Sequence, residues 1–350
     1  MRALRWHGAG DVRVEDVTRQ PVGAGEVEIA VAYCGICGSD LAEYRQGPVA
    51  IQDRPHVLTG HRPPVTLGHE FSGTVTAVGD RVRGIAVGDR VSSDATLRCG
   101  ACTECLSGNY NHCALGGSVG LASDGAMAEF VRIPAYCAVK LPGEVDLVAG
   151  ALLEPYAVAL HALHRATVPT GGRVLVSGFG PIGAAAAEVA RALGFRVLVS
   201  EPNDDRRAAA ERLGHATFRA AGDPRADARA IRTATDGGVH AVIECSGSRP
   251  GVEFALELTR RGGTIVAVGL PKEPVTLDAA RLILFERALL GALGYQNDLP
   301  RIAGMIAAGV LDPTRIVSGT VALEDAPAEF ARLVASPGAD LKVLVRSGHT

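Results

Sequence analysis

The sequence predicts a two-domain α/β chain in which a mainly β half precedes a doubly wound parallel sheet. Three observations predict it. The 350 residues exceed the roughly 100 to 200 usual for one domain. The first half reads as short strands between turn signals, with long loops. From Arg173 onward, apolar strands alternate with alanine-rich amphipathic segments, the rhythm of βαβ units on a parallel sheet.

Each element has a local reason. The Val/Glu/Arg alternation up to Val17 reads as strand, as does Glu26-Val27-Glu28-Ile29-Ala30-Val31. Thr74 to Val78 precedes the turn signal Gly79-Asp80, and Gly88-Asp89 turns into a strand at Arg90-Val91. Arg173 to Ser177 is a buried strand, followed by a helix from Ile182 to Leu193 that Gly194 stops. Arg196 to Ser200 is the second strand, after which Asn203 caps a helix reaching Leu213. Ala241 to Ile243 and Thr264 to Val268 supply later buried strands. After Tyr295 the rhythm shifts to a helix-like stretch, Leu299 to Ala308, and a final strand, Leu341 to Val345.

Composition excludes several classes of function. A formal charge of -3 without any long Lys/Arg block argues against nucleic acid or a charged membrane surface as partner. The most apolar segment, Leu147 to Leu163, carries Glu154 and two histidines, so no run approaches the roughly 18 to 20 uncharged residues of a membrane span. The N-terminus lacks the apolar stretch of a secretory signal, and we read the protein as cytoplasmic. In a reducing compartment the eight cysteines are assigned to metal or catalysis before disulfides.

Gly178-Phe179-Gly180-Pro181-Ile182-Gly183 is a G-x-G-x-x-G run between a strand and a helix. Glycines there permit a tight turn and a close approach to a pyrophosphate, whose charge meets the amides and positive dipole of the helix start. Glu201 stands 23 residues after Gly178, at the end of the second strand. A carboxylate there accepts from both adenosine ribose hydroxyls, which favours NAD over NADP. Arg206 and Arg207 lie near enough in sequence to leave NADP open.

Cys99-x-x-Cys102-x-x-Cys105 followed by Cys113 puts four thiols in one loop. Such a set closes a tetrahedron around Zn²⁺ with no open position, so this site is expected to be structural. An iron–sulfur cluster is the competing reading, but ferredoxin-type runs place the fourth cysteine about four residues on, before a proline. A second set is dispersed: Cys37 in Cys34-Gly35-Ile36-Cys37-Gly38-Ser39-Asp40, His69 and Glu70 after Gly68, and Glu154 before Pro155. Thiolate, imidazole and carboxylate suit a catalytic zinc with an open position. Spacing alone does not join them; taken singly they read as a buried thiol, a core histidine and helix-start or strand carboxylates.

Taken together, these runs, with Val158-Ala159-Leu160-His161-Ala162 after Glu154-Pro155, resemble the zinc-containing medium-chain alcohol dehydrogenases. The likeness spans nearly the whole chain, in order. It is greatest to the 2,3-butanediol (acetoin) dehydrogenases, through the long segment from Gly47-Pro48 to Gly60, and somewhat less to sorbitol dehydrogenases. The resemblance implies a GroES-like β-rich catalytic domain over residues 1–155, completed by 297–350, and a Rossmann domain over 156–296. It implies a dimer or tetramer, two zinc ions per chain, NAD, and a small secondary alcohol, vicinal diol or ketone as substrate. By resemblance Cys37, His69, Glu70 and Glu154 serve the catalytic zinc, and Cys99, Cys102, Cys105 and Cys113 the structural one. Ser246, Gly269, Leu293 and Lys342 match positions that contact the cofactor, as do Gly178, Gly180, Pro181, Ile182, Gly183, Glu201 and Arg206 of the loop region. Cys34, Cys137 and Cys245 receive no ligand assignment from the resemblance.

Ser39 matches the family residue that hydrogen-bonds the substrate oxygen and starts a proton relay. The family commonly reads Ser-Asp-x-His here, whereas this chain reads Ser39-Asp40-Leu41-Ala42. Ala42 carries no proton, so Glu43, Tyr44, His56 or a water chain is the expected substitute. The rival functions are a zinc-free quinone or enoyl reductase of the same architecture and a non-enzymatic cofactor-binding protein.

Overall fold

The computed structural model of the chain describes residues 1–271, 273–336 and 338–348. It divides into two compact units, Met1–Glu154 with Leu299–Thr350, and Pro155–Asp298.

The first unit is built on a sheet ordered Ala138–Lys140, Arg90–Ser93, Glu70–Val78, Glu26–Gly35, Lys342–Arg346 and Val317–Ala322, with Phe130–Pro134 also paired to Glu26–Gly35. Alternate side chains of these strands form one apolar core, including Val27, Ile29, Val31, Phe71, Val75, Val343 and Val345, closed by Trp6 and Phe330. Register is what positions the chemistry. Gly35 faces Glu70 on one side and Leu344 on the other, which brings the residues after Gly35, the start of the Glu70 strand and Lys342 to one end of the sheet. The strand Val317–Ala322 carries no expectation from sequence, because Ser318 and Gly319 break its apolar alternation. It forms by pairing in parallel with Lys342–Arg346.

The second unit holds a six-stranded sheet, all parallel, in the order Ala216–Phe218, Arg196–Ser200, Arg173–Ser177, Val239–Glu244, Thr259–Ala267 and Ala288–Gly291. The chain runs outward from Arg173–Ser177 in one direction and then returns to its other side. This makes the carboxyl end of that strand a topological switch point, where α/β sheets take ligands. Asn203 caps its helix by accepting the Arg206 amide, as the sequence predicts.

Both ends of this unit are tied together. The Asp298 carboxylate accepts the Gln296 amide at 3.0 Å and lies 3.2 Å from His164 Nδ1 and 3.5 Å from His161 Nδ1. Burial alone would raise the Asp298 pKa, but the two histidines and that amide hold it well below the ordinary carboxylate range. Among the described residues, no helix is long and apolar enough to cross a membrane.

Candidate active site and metal centres

Two donor clusters lie in the first unit. In the loop, Cys99, Cys102, Cys105 and Cys113 bring their sulfurs within 4.8 Å of one another. The Cys102 amide donates to Cys99 Sγ at 3.4 Å and the Cys99 amide to Cys113 Sγ at 3.5 Å. Backbone donors from Ala101 and Cys102 pull the Cys99 thiol down to about 6, whereas burial and its thiol neighbours push Cys105 up to about 12. The short helix Thr103–Leu106 buries none of its residues, and Leu106 is 75% exposed. A loop with so little apolar content, holding four convergent thiols, fits a closed Zn²⁺ site.

The second cluster joins Cys37, His69 and Glu70, whose ligand atoms also lie within 4.8 Å of one another. The helix Gly38–Gln46 starts here, and Asp40 in its first turn accepts the Cys37 amide at 2.9 Å. Its other oxygen, Oδ1, is 3.7 Å from His69 Nδ1; both atoms are buried and lack a hydrogen-bond partner. The imidazole is thereby held with Nδ1 toward Asp40. Nε2 faces the Ser39 hydroxyl at 3.3 Å. Burial would lower the His69 pKa, but Asp40 and then Cys37 drive it well above its ordinary value. A buried imidazole drawn toward the cationic form by anionic neighbours fits a site built for a divalent ion. Asp40 is an orienting group that residue type alone does not reveal; its signal in the sequence is adjacency to Ser39 in the Cys37-Gly38-Ser39-Asp40 run.

Two carboxylates compete for this site. Glu70 is fully buried and already paired, both its oxygens accepting from Lys342 Nζ at 2.9 and 2.6 Å. Lys342 also donates to the Ile36 carbonyl at 3.1 Å. The resemblance places this residue at the cofactor; here its ammonium is directed at Glu70. Glu154 interacts electrostatically with both His69 and Glu70, and burial followed by the Glu70 charge pushes its carboxyl up to about 7. Ligand-atom proximity thus favours Glu70, but its charge is met by Lys342, whereas Glu154 has no comparable ion pair among the described residues.

The relay substitutes are placed as follows. Glu43 accepts the Val49, Ala50 and Ile51 amides and is spent on holding that loop. Tyr44 packs edge-on against Phe330 with ring centroids 5.9 Å apart. His56 Nδ1 accepts the Leu58 amide at 3.3 Å. Glu43 and Tyr44 are committed to packing and loop support.

In the second unit, a cavity of about 300 Å³ is lined by Gly178, Ser200, Pro202, Ala221, Ser246 and Ser248, among others. The glycine loop lies at the switch point. Gly178 has φ +88°, and a Cβ at Gly183 would sit 2.0 Å from the Gly178 carbonyl oxygen, so the turn requires both glycines. Gly180 precedes Pro181 and Ile182 at the helix start. Glu201 is buried and accepts the Phe179 amide at 2.6 Å and the Asn203 amide at 2.8 Å, which binds the strand end to the loop. Gly269 packs against Gly247, Leu293 is 62% exposed, and Arg206 lies outside the cavity wall.

Residues 23–143 match the model of the alcohol dehydrogenase GroES-like domain, and residues 181–308 that of the zinc-binding dehydrogenases. The chain is 34% identical over 352 residues to (R,R)-butanediol dehydrogenase of Bacillus subtilis (strain 168), covering 99% of each. The chain belongs to the zinc-binding medium-chain alcohol dehydrogenase family. This dehydrogenase is also 35% identical to sorbitol dehydrogenase of Halalkalibacterium halodurans over 82% of its own length and 81% of the relative's. The crystal structure of 2R,3R-butanediol dehydrogenase from Bacillus subtilis matches it with a TM-score of 0.93 at 33% identity, covering 99% of both chains. The dehydrogenase is therefore a zinc-dependent oxidoreductase working with a nicotinamide dinucleotide, on the GroES-like and Rossmann architecture expected from sequence.

Proposed function

We propose that the enzyme interconverts a small vicinal diol or polyol with the corresponding ketone, using NAD. The cluster of Cys37, His69 and Glu70, with the Ser39 hydroxyl 3.3 Å from the imidazole, carries this reading. The names of the relatives support the diol and polyol class. Cys37 and His69 would hold a catalytic zinc, with Glu154 supplying the carboxylate because Lys342 restrains Glu70. Cys99, Cys102, Cys105 and Cys113 hold a structural one.

When bound, zinc supplies Lewis acidity of the kind that lowers the pKa of water from 15.7 to about 7, and the nicotinamide accepts the hydride. Ser39 accepts the substrate hydroxyl proton as it hands its own to water, since Ala42 offers no acceptor. Asp40 fixes the imidazole, and Lys342 neutralises Glu70 so that the second buried carboxylate does not repel the substrate oxygen. The Gly178–Gly183 loop holds the pyrophosphate. Glu201 accepts from the adenosine ribose and repels a 2′-phosphate, so NAD is preferred.

A dehydrogenation panel of butanediol stereoisomers, sorbitol, xylitol and simple secondary alcohols, run with NAD and NADP on protein holding two zinc per chain, tests this. Diol- or polyol-dependent NADH formation exceeding that with simple alcohols is expected; no alcohol-dependent NADH from zinc-replete protein would defeat the proposal.

The enzyme is read as a cytoplasmic homo-oligomer, a dimer or a tetramer, since a reducing compartment keeps thiolates available as ligands. The edge strand Ala288–Gly291 leaves one side unpaired within its sheet, and near it in sequence Ile283, Leu284 and Leu293 are exposed by 75%, 70% and 62%. Light scattering should give an even multiple of the 36.2 kDa chain mass; a monomer at micromolar concentration would exclude this surface.

A further inference from the structure

One wall of the cavity beside the glycine loop is wired by a buried carboxylate that the mechanism does not use. Glu244 ends the strand Val239–Glu244 and is fully buried. Its Oε1 accepts the Ser246 amide at 2.9 Å and the Ser246 hydroxyl, and its Oε2 accepts the Gly247 amide at 3.2 Å. Its backbone carbonyl accepts the Val268 and Gly269 amides at 2.9 and 3.0 Å. One residue therefore grips the turn at Ser246 and Gly247 and the end of the neighbouring strand. Burial pushes the carboxyl up, and the Ser246 and Gly247 donors pull it back toward the ionised form.

The protons of this wall can be counted. A serine hydroxyl has one proton and two lone pairs. Ser246 gives its proton to Glu244, so in its 2.8 Å contact with Ser248 it can only accept, and it also accepts the Ser248 amide at 3.2 Å. Ser248 therefore donates to Ser246, while accepting the Gly251 amide at 3.1 Å as the cap of the helix Arg249–Leu258. Both hydroxyl protons are consumed. What the two serines present to the cavity is a single free lone pair on Ser248, and no hydroxyl donor.

We infer that Glu244 is a positioning residue of the cofactor pocket: it fixes the Ser246–Ser248 turn and makes that wall an acceptor, matched to a hydroxyl- or amine-bearing edge of the nucleotide and unsuited to a phosphate. This rests on the dinucleotide reading of the cavity. Glu244→Gln keeps the size of the side chain but places an N–H against a backbone or hydroxyl donor. NADH dissociation constants are expected to rise about tenfold, the worth of one such mismatched hydrogen bond. The loss should appear in KM for NAD more than in kcat, and NADPH should be weakened less than NADH. Ser246→Ala leaves the buried charge and both amide contacts in place but frees the Ser248 proton to donate, so it too should lower the ratio of NADPH to NADH dissociation constants. An unchanged ratio in both variants, or an equal loss for both nucleotides with a lower melting temperature, overturns the inference. Wild-type enzyme that binds neither nucleotide overturns the dinucleotide reading itself, and this inference with it.

Discussion

Replacing His69 with alanine is expected to lower kcat/KM by about a thousandfold or more and to reduce bound zinc from two ions per chain to one. Metal-ion polarisation of an oxygen is worth several kcal/mol in the transition state, and about 1.4 kcal/mol is a factor of ten in rate. The histidine is the group that Asp40 and Ser39 bracket, so neither neighbour can replace it. Its loss also leaves Asp40 buried with Oδ1 facing a void. Asp40→Asn separates these effects, because it keeps the shape and removes the charge. Outer-shell changes of this kind cost about 10- to 100-fold in metal affinity or activity, so this variant should recover part of its rate when zinc is supplied in excess. Metal analysis beside steady-state kinetics decides the matter; a His69→Ala enzyme with one zinc fewer and kcat/KM within tenfold of wild type would mean that hydride transfer does not depend on this centre.

The second large effect is expected in the four-thiol loop. Cys105→Ser should release the structural zinc and lower the melting temperature by about 5 to 10 °C, a shift typical of a few lost interactions in a domain of this size. The reason is the poverty of other contacts. No residue of Thr103–Leu106 is fully buried, and the main apolar anchor is Tyr110, which Arg98 covers at 4.0 Å from the ring centroid. Opening is therefore expected to be local. Limited proteolysis should cut between residues 99 and 113 long before the core strands are attacked. A variant that loses zinc yet melts and resists protease as wild type does would show that the loop is held by its own packing.

What could be read from sequence divides along a physical line. The glycine loop and the four cysteines were legible because their residues are contiguous, and a turn or a tetrahedron forms within one short segment. The Cys37, His69 and Glu70 site was not, since its members meet only through the pairing of Glu26–Gly35 with Glu70–Val78; family resemblance supplied what spacing could not. Resemblance does not reveal the Lys342–Glu70 pair, which arises because the register of its strand turns the ammonium onto Glu70. Glu43, offered as a proton carrier, is consumed by three backbone amides, a local loop geometry that residue type does not reveal. Asp40 and Glu244 share the opposite fate: carboxylates that act through another residue have no motif of their own. The strand Val317–Ala322 escaped notice because an edge needs a neighbour more than it needs an apolar pattern.

The Asp298 knot gives the inserted unit a property of its own. The end of the helix Leu153–His164 and residues 296–298 are held by one carboxylate, so the segment leaves and returns at the same place. Such a clasp closes a long excursion of the chain at its neck, and the entropy cost of closing a loop grows only slowly with the length enclosed.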